Sequence, residues 1–427
     1  MLPKLIYSYI NRRLCIPPMI TIKQWHVLKS APHRVMFLGG ALQTLAVMIW
    51  FMTELLTRYG EFMQPISWKI APSYAHAYLM IFGMFPLFMF GVQMTTFPRW
   101  MKGVEIPQKL YVPAFILLML GAIGFYAGLI VSHTLLIIAV CCTLSGWGFI
   151  LYALMRVLLD TPPQDKRHPK IIFGALYLGW CCQFSYLVFL VSDDVSWIRF
   201  SIEGGIWLFL LPIFTTVAHR MIPFFTTSAL PQTQMKSSFL ALWIILIASA
   251  THCLLDFNGS YTWLWLCDFP LALAALYLSH SWEFGRSLKL PMLAVLHISF
   301  AWLSIAMLLF TAQSMVLLIS HGDTFIGGLA PLHALTLGFF ATFLIGMATR
   351  VTLGHSGLPM TADKPIKIMF SGIQIGAGLR VLADLFPMEN RQWLYFAAGA
   401  VWLGCFTPWV LRYLPIYLKQ RADGHPG

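Results

Sequence analysis

Two stretches of this chain constrain its fold more than anything else: Leu110–Ser132 and Met292–Ser320 contain no charged residue. About 20 consecutive apolar residues cross a hydrocarbon core roughly 30 Å thick. Runs of this length are too long for the helices of a soluble core. The rest of the chain agrees, with 59% hydrophobic and 10% charged residues, against about 25% charged in a soluble domain. The mean hydropathy is +0.74. These features predict an all-α polytopic membrane protein with the lipid bilayer as its solvent.

The apolar segments predict about twelve spanning helices, at 33–56, 74–97, 110–131, 135–157, 171–192, 198–219, 237–256, 261–283, 292–319, 328–349, 366–386 and 393–416. Charge tests the topology. With the N-terminus inside and the segments alternating, 23 of the 28 Lys and Arg residues fall on the inner side. Only Arg58, Lys69, Arg199, Arg380 and Arg391 fall outside. That asymmetry fits an even number of spans with both termini cytoplasmic. The expected organisation is a basic arm over 1–32, a transmembrane domain over 33–417 and a short tail over 418–427. The arm carries Lys4, Arg12, Arg13, Lys23 and Lys29 around Pro17 and Pro18. It lacks the short apolar core and cleavage site of a secretory signal. The net charge of +12 therefore belongs to the loops, and there is no basic patch of the kind that binds nucleic acid.

In the tenth segment Ala334, Gly338, Thr342 and Gly346 recur every four residues, a small-residue stripe that admits a neighbouring backbone. Gly83 and Gly91 echo it in the second. Segments two, six and ten all run inward and end in Thr95-Thr96-Phe97-Pro98-Arg99, Thr215-Thr216-Val217-Ala218-His219-Arg220 and Thr349-Arg350. Three four-helix units in a pseudo-threefold array would give such a repeat.

Ionisable groups within a membrane are costly and mark function. The histidines sort by depth into an outer tier, His76, His333 and His252, and an inner tier, His219, His297 and His355, flanked by Arg220 and Arg350. His76 and His333 at equal depth are suited to holding a haem iron from both sides. The inner tier offers ligands for a second metal, and its guanidinium groups suit haem propionates. Against this stand blander readings: histidines hydrogen-bonded at the interface, and arginines facing lipid phosphates. His26, His133, His168, His280, His321 and His425 read as solvated. Glu203 and Asp268 read either as proton relays or as partners of a neighbouring helix. The eight cysteines form no Cys-x-x-Cys or Cys-x-x-Cys-His, which excludes covalent haem attachment and favours packing. The 22 methionines likewise read as core. No phosphate-binding loop, catalytic triad or zinc-protease helix is present. Gly354-His355-Ser356-Gly357 follows a spanning helix, so it is no nucleophile elbow.

At these residues the sequence resembles the NnrS family. The signature is His333-Ala-Leu-Thr-Leu-Gly338 with Met347-Ala-Thr-Arg350-Val-Thr-Leu-Gly-His355-Ser-Gly-Leu-Pro359. Arg220-Met-Ile-Pro223-Phe-Phe-Thr226, Leu296-His297 with Phe300-Ala-Trp302-Leu, and Pro98-Arg-Trp100 with Gly103 match in the same order. The resemblance implies a bacterial inner-membrane protein that binds haem and copper and is linked to denitrification, nitric oxide and nitrosative stress. It implies His76 and His333 as ligands of a b-type haem, with His219, His297, His355, Arg220 and Arg350 serving a second cofactor. One departure stands out. The family's His-Ala-His-Glu-Met is here His76-Ala77-Tyr78-Leu79-Met80, which removes one histidine and the acid. Haem–copper oxidases, which also hold a haem between their second and tenth helices, offer a fold-level analogy.

The leading expectation is thus a haem protein that handles nitric oxide by reduction, scavenging or protection of iron centres. If catalytic, it is a nitric-oxide-related oxidoreductase; no residue identifies its electron donor. The alternative is a metal or haem transporter or channel, although the broken midplane helices of that class are not visible. A non-catalytic scaffold is the third reading, and it gives the buried histidines no role.

Overall fold

The computed structural model describes residues 21–60, 64–160, 165–230, 235, 237–386, 389 and 391–423. Lys4, Arg12, Arg13, Cys15, Pro17, Pro18, Lys236 and His425 lie outside the described residues. Among the described residues, twelve helices are long and apolar enough to span a membrane: α1 Pro32–Tyr59, α2 Pro72–Met101, α3 Gln108–Ile130, α4 His133–Asp160, α5 Arg167–Ser192, α6 Val195–Ala229, α7 Phe239–Phe257, α8 Tyr261–Ser281, α9 Pro291–Ile319, α10 Ala330–His355, α11 Lys364–Leu385 and α12 Arg391–Tyr417. Among the described residues there is no strand. The protein is an all-α multi-pass membrane protein. Within the arm, Ile22–Leu28 forms a short helix, capped by reciprocal bonds between Thr21 and Gln24.

All twelve expected segments are helices, but three are longer than their apolar cores. Helix α6 continues ten residues beyond the expected end at 219, through Pro223 to Ala229. Its 35 residues measure about 52 Å at 1.5 Å per residue. It overruns a ~30 Å hydrocarbon core, so its last turns extend past the apolar layer. Helix α10 likewise runs on to His355, and α2 to Met101. Apolar content marks only the part in lipid; the extensions are held by packing against neighbours.

The packing repeats three times. Within each group of four, the first helix packs on the second and the third on the fourth: α1–α2 and α3–α4, α5–α6 and α7–α8, α9–α10 and α11–α12. The last helix of each group packs on the first of the next, as α4–α5, α8–α9 and α12–α1. The apolar stretches of α2, α6 and α10 are 72%, 78% and 78% buried, against at most 61% for any other helix. They form the centre. There Phe85, Phe214 and Phe340, one from each, meet with ring centroids 5.6, 6.1 and 4.6 Å apart. A cavity of about 40 Å³ adjoins Phe214, lined by Phe88, Met89, Gln93, Phe343 and Met347.

The same three helices share a second feature. Each contains a π-helical stretch near its outer end: Leu79–Met84, Gly205–Leu210 and Ala334–Ala341. Phe85-Pro86 and Leu211-Pro212 directly follow the first two. A proline has no N–H to donate four residues back and its ring crowds that carbonyl, so the hydrogen-bond ladder slips to the wider register. The slip re-aims the side chains of the first turns.

The two glycines of the α10 stripe face α9, but the space they leave admits side chains rather than the close backbone expected. A Cβ on Gly338 would lie 2.5 Å from Trp302, and one on Gly346 would lie 3.0 Å from Val295 and Leu296. Side chains such as Ile123, Ile247 and Leu411 are exposed on the outer helices, the surface expected where lipid is the solvent.

Candidate functional site

The outer tier sits beside the π-helical stretches. His76 lies just before that of α2. Its imidazole stacks on Phe51 of α1 at 3.9 Å between centroids, and its Nδ1 is buried with no partner among the described residues. His333 ends the first turn of α10, and its Nδ1 lies 2.9 Å from the carbonyl of Leu329. A carbonyl only accepts, so Nδ1 carries the proton and the neutral ring keeps a free lone pair on Nε2. Arg380 of α11 pairs with Asp384 at 2.6 Å, and Asp384 also accepts a bond from Tyr395. The sequence reading placed Arg380 among the outer-side charges. Its side chain is only 16% exposed.

His252 belongs to a different environment. Its Nδ1 lies 2.6 Å from Asp268 Oδ1, with both side chains fully buried. Trp207 stacks on its ring. Of the two readings of the buried acids, Asp268 thus takes the helix partner. Glu203 accepts a bond from Trp207 Nε1 at 3.2 Å.

The inner tier divides among three partners. His219 Nε2 donates to the carbonyl of Ser238 at 3.2 Å, which leaves Nδ1 to accept from His168 Nε2 at 2.9 Å. His297 Nε2 lies 3.0 Å from Thr226 Oγ1. The Thr226 proton is already given to Ile222, so the histidine donates. His355 Nδ1 lies 3.3 Å from Arg99 Nη1 and accepts from it, and its ring is 4.6 Å from that of His33. No hydrogen bond joins His219, His297 and His355 to one another among the described residues.

Two corrections follow. His168 reads as solvated from its place between charged residues, yet it is only 7% exposed, because α5 starts early enough to turn it against α6. His33, 2% exposed, escapes the tier sorting because it sits at the boundary of the first apolar segment. The signal for both is positional: each is the second residue of the first helix of its group. Nearby, hydrogen bonds from Arg167 hold the carboxyl of Asp165 below the usual carboxylate range.

The arginines also separate. Arg350 is buried at 8% exposure. Its Nε donates to the carbonyl of Met292, and its guanidinium lies over Phe225 at 4.3 Å. It is therefore a clasp between α6, α9 and α10, and not a lipid anchor. Arg220 lies 4.4 Å over Trp100 at the end of α2.

A family model, NnrS protein, matches residues 27–421. The chain belongs to the NnrS family. Among curated proteins none matches it. The NnrS match spans all twelve helices and both tiers. The departure at Tyr78 and Leu79 now has a place. The Tyr78 hydroxyl bonds Thr143 of α4 at 2.8 Å and Gln183 of α5 at 3.1 Å, and its ring stacks on Phe125 of α3. In this NnrS chain the Tyr78 hydroxyl thereby ties α2 to α4 and α5.

Proposed function

We propose that this protein binds a b-type haem towards the outer face of the bacterial inner membrane, with His76 and His333 as the residues that would hold its iron, and uses it to handle nitric oxide. Residues 1–32 and 418–427 lie on the cytoplasmic side in this reading. The observation that carries it is the fixed tautomer of His333. The Nδ1–H bond to the Leu329 carbonyl orients the ring, raises its basicity and leaves Nε2 free, the arrangement typical of a metal-bound histidine. His76 complements it with an unpartnered buried nitrogen and a ring held by Phe51. Each of the two helices thus offers an imidazole nitrogen to an iron, which supports the reading.

When bound, haem would supply a redox-active iron and a site for nitric oxide. The chain's own residues do the rest. Leu329 and Phe51 orient the two imidazoles. Arg380 retains guanidinium donors for a propionate beside its bond to Asp384. Copper is an imidazole-binding metal, but the inner tier gives it no shared donor set: His219, His297 and His355 each bond a different partner and are not a group of ligand atoms within 4.8 Å of one another among the described residues. The transporter alternative gains little from the centre of the bundle: the cavity there is about 40 Å³, room for a very few waters.

The test is the visible spectrum of detergent-purified protein, oxidised, dithionite-reduced and then exposed to nitric oxide. Sharp reduced bands, lost in His333→Ala, are expected. A shift with nitric oxide directs the next step to reduction or scavenging; sharp bands without a shift direct it to electron transfer. A featureless spectrum from folded protein made with haem available overturns the reading and leaves transport, to be measured in proteoliposomes.

A further inference from the structure

The three residues His252, Cys267 and Asp268 form a group that the haem reading does not use. They lie near the outer ends of α7 and α8, which the Asn258–Gly259–Ser260 turn joins as a hairpin. All three are buried, and each offers one ligand atom within 4.8 Å of the others. A buried pair alone would explain His252 Nδ1 against Asp268 Oδ1 at 2.6 Å. It would not explain what remains. His252 Nε2 and Asp268 Oδ2 are both fully buried with no partner among the described residues. A buried polar atom without a bond is costly, and here two belong to one cluster.

The surroundings hold the imidazole in place. Trp207, in the π-helical stretch of α6, stacks on it at 3.5 Å between centroids, and Phe310 of α9 meets it edge-on at 5.2 Å. The Cys267 thiol donates to the carbonyl of its own helix at Leu264, 3.0 Å away, a weak bond that is readily exchanged for a stronger one.

We infer that this cluster binds one divalent transition-metal ion of the zinc type. Nitrogen, sulfur and carboxylate oxygen together select a borderline-soft ion over magnesium or calcium. Charge decides the valence. One thiolate and one carboxylate neutralise a dication, so the loaded site carries no net charge in a low-dielectric interior, where an uncompensated charge is costly. Binding releases the Cys267 proton to solvent and replaces the S–H bond to Leu264 with a metal–sulfur bond. Three protein ligands leave the fourth tetrahedral position open, as in catalytic rather than structural zinc sites.

The experiment loads purified full-length protein with zinc, removes loosely held ion, and measures zinc per chain together with X-ray absorption at the zinc edge. One zinc per chain is expected, with one sulfur at about 2.3 Å. Cys267→Ser should remove the sulfur and lower zinc retention by more than about tenfold, at least the loss expected for an outer-shell partner. Asp268→Asn, which keeps the side-chain shape, should lower retention similarly. Cys253→Ser, a buried cysteine on α7 outside the group, should change neither readout. His333→Ala should keep its zinc, which separates this site from the haem reading. No zinc in the wild-type protein, or a sulfur shell that survives Cys267→Ser, overturns the inference. Should Cys267→Ser fail to fold, Asp268→Asn decides: undiminished retention there overturns it too.

Discussion

Gly338→Ala tests the packing that positions His333. A Cβ at this point lies 2.5 Å from Trp302 Cδ2, 2.7 Å from Cγ and 2.8 Å from Cε3. Carbon atoms settle at about 3.5–4.0 Å, so roughly 1 Å of separation must be found. The indole is not free to supply it. Trp302 Nε1 donates to Gln374 Oε1 at 2.8 Å, and Gln374 Nε2 donates to Thr342 Oγ1 at 3.0 Å. The ring is thereby tied to α11 and back to α10. Either α9 and α10 part or the indole bond breaks. Overpacking costs about 1–3 kcal/mol and the lost bond about 1 kcal/mol, for a total of about 2–4 kcal/mol. The control is Gly354→Ala on the same helix, where nothing lies within 4 Å of the new methyl. It should be neutral or gain about 0.5–1 kcal/mol from the better helix former. Unfolding in mixed micelles titrated with SDS, followed by tryptophan fluorescence, compares the two. Equal midpoints would refute the argument that the stripe seats α9.

Other perturbations probe the remaining contacts. Arg350→Lys should destabilise by about 2 kcal/mol in the same titration, because an ammonium cannot both stack on Phe225 and bond Met292 as the planar fork does; a variant as stable as wild type returns Arg350 to the role of a lipid anchor. Tyr78→Phe removes the acceptor of one Gln183 bond and the partner of Thr143, which should cost about 1–2 kcal/mol; a change in the reduced haem bands greater than that of a distant control would show that Tyr78 acts on the cofactor after all. His168→Leu leaves His219 Nδ1 without its donor, so a loss of about 1–3 kcal/mol is expected in the same titration, and unchanged stability would refute the pair's part in holding α5 on α6.

The number and type of the elements were legible in the sequence because hydropathy reports the lipid boundary directly. The ends of α6 and α10 were not, since a helix that has left the lipid no longer needs apolar residues. Helix α6 carries Arg220 and Pro223 beyond its expected end, and only contacts such as Thr226 with His297 hold it there. The stripe on α10 was legible as a row of small residues, whereas the bulky side chains of Trp302, Val295 and Leu296 that fill it depend on which face of α9 meets it. The histidine tiers were legible as depth and not as partners, since pairing across helices depends on which faces meet. His33 and His168 show the cost of reading position alone: both lie among charges in sequence and in the interior in space. The significance of Phe85-Pro86 and Leu211-Pro212 also emerges only when the π-helical stretches are seen at matching places in α2 and α6.

That repetition bears on how one scaffold can carry different chemistry. The three central helices widen near their outer ends, and an imidazole lies beside each widening: His76 at α2, His333 at α10, and His252 against Trp207 of α6. Their bonding differs in the property that matters for a ligand. His333 has its proton assigned to Nδ1 by a carbonyl. His76 has no such partner for its buried Nδ1. His252 faces a carboxylate on Nδ1, with a thiol beside that carboxylate. Neutral imidazole beside carbonyl or apolar surface suits an iron that already carries its macrocycle's negative charge. Imidazole beside thiol and carboxylate suits a bare dication that must be neutralised by protein. The acid and the thiol therefore separate the third position from the first two. If the two proposals hold, a substitution that moves that charge, Asp268→Asn, should lower zinc retention and leave the haem bands unchanged, whereas His333→Ala should do the reverse.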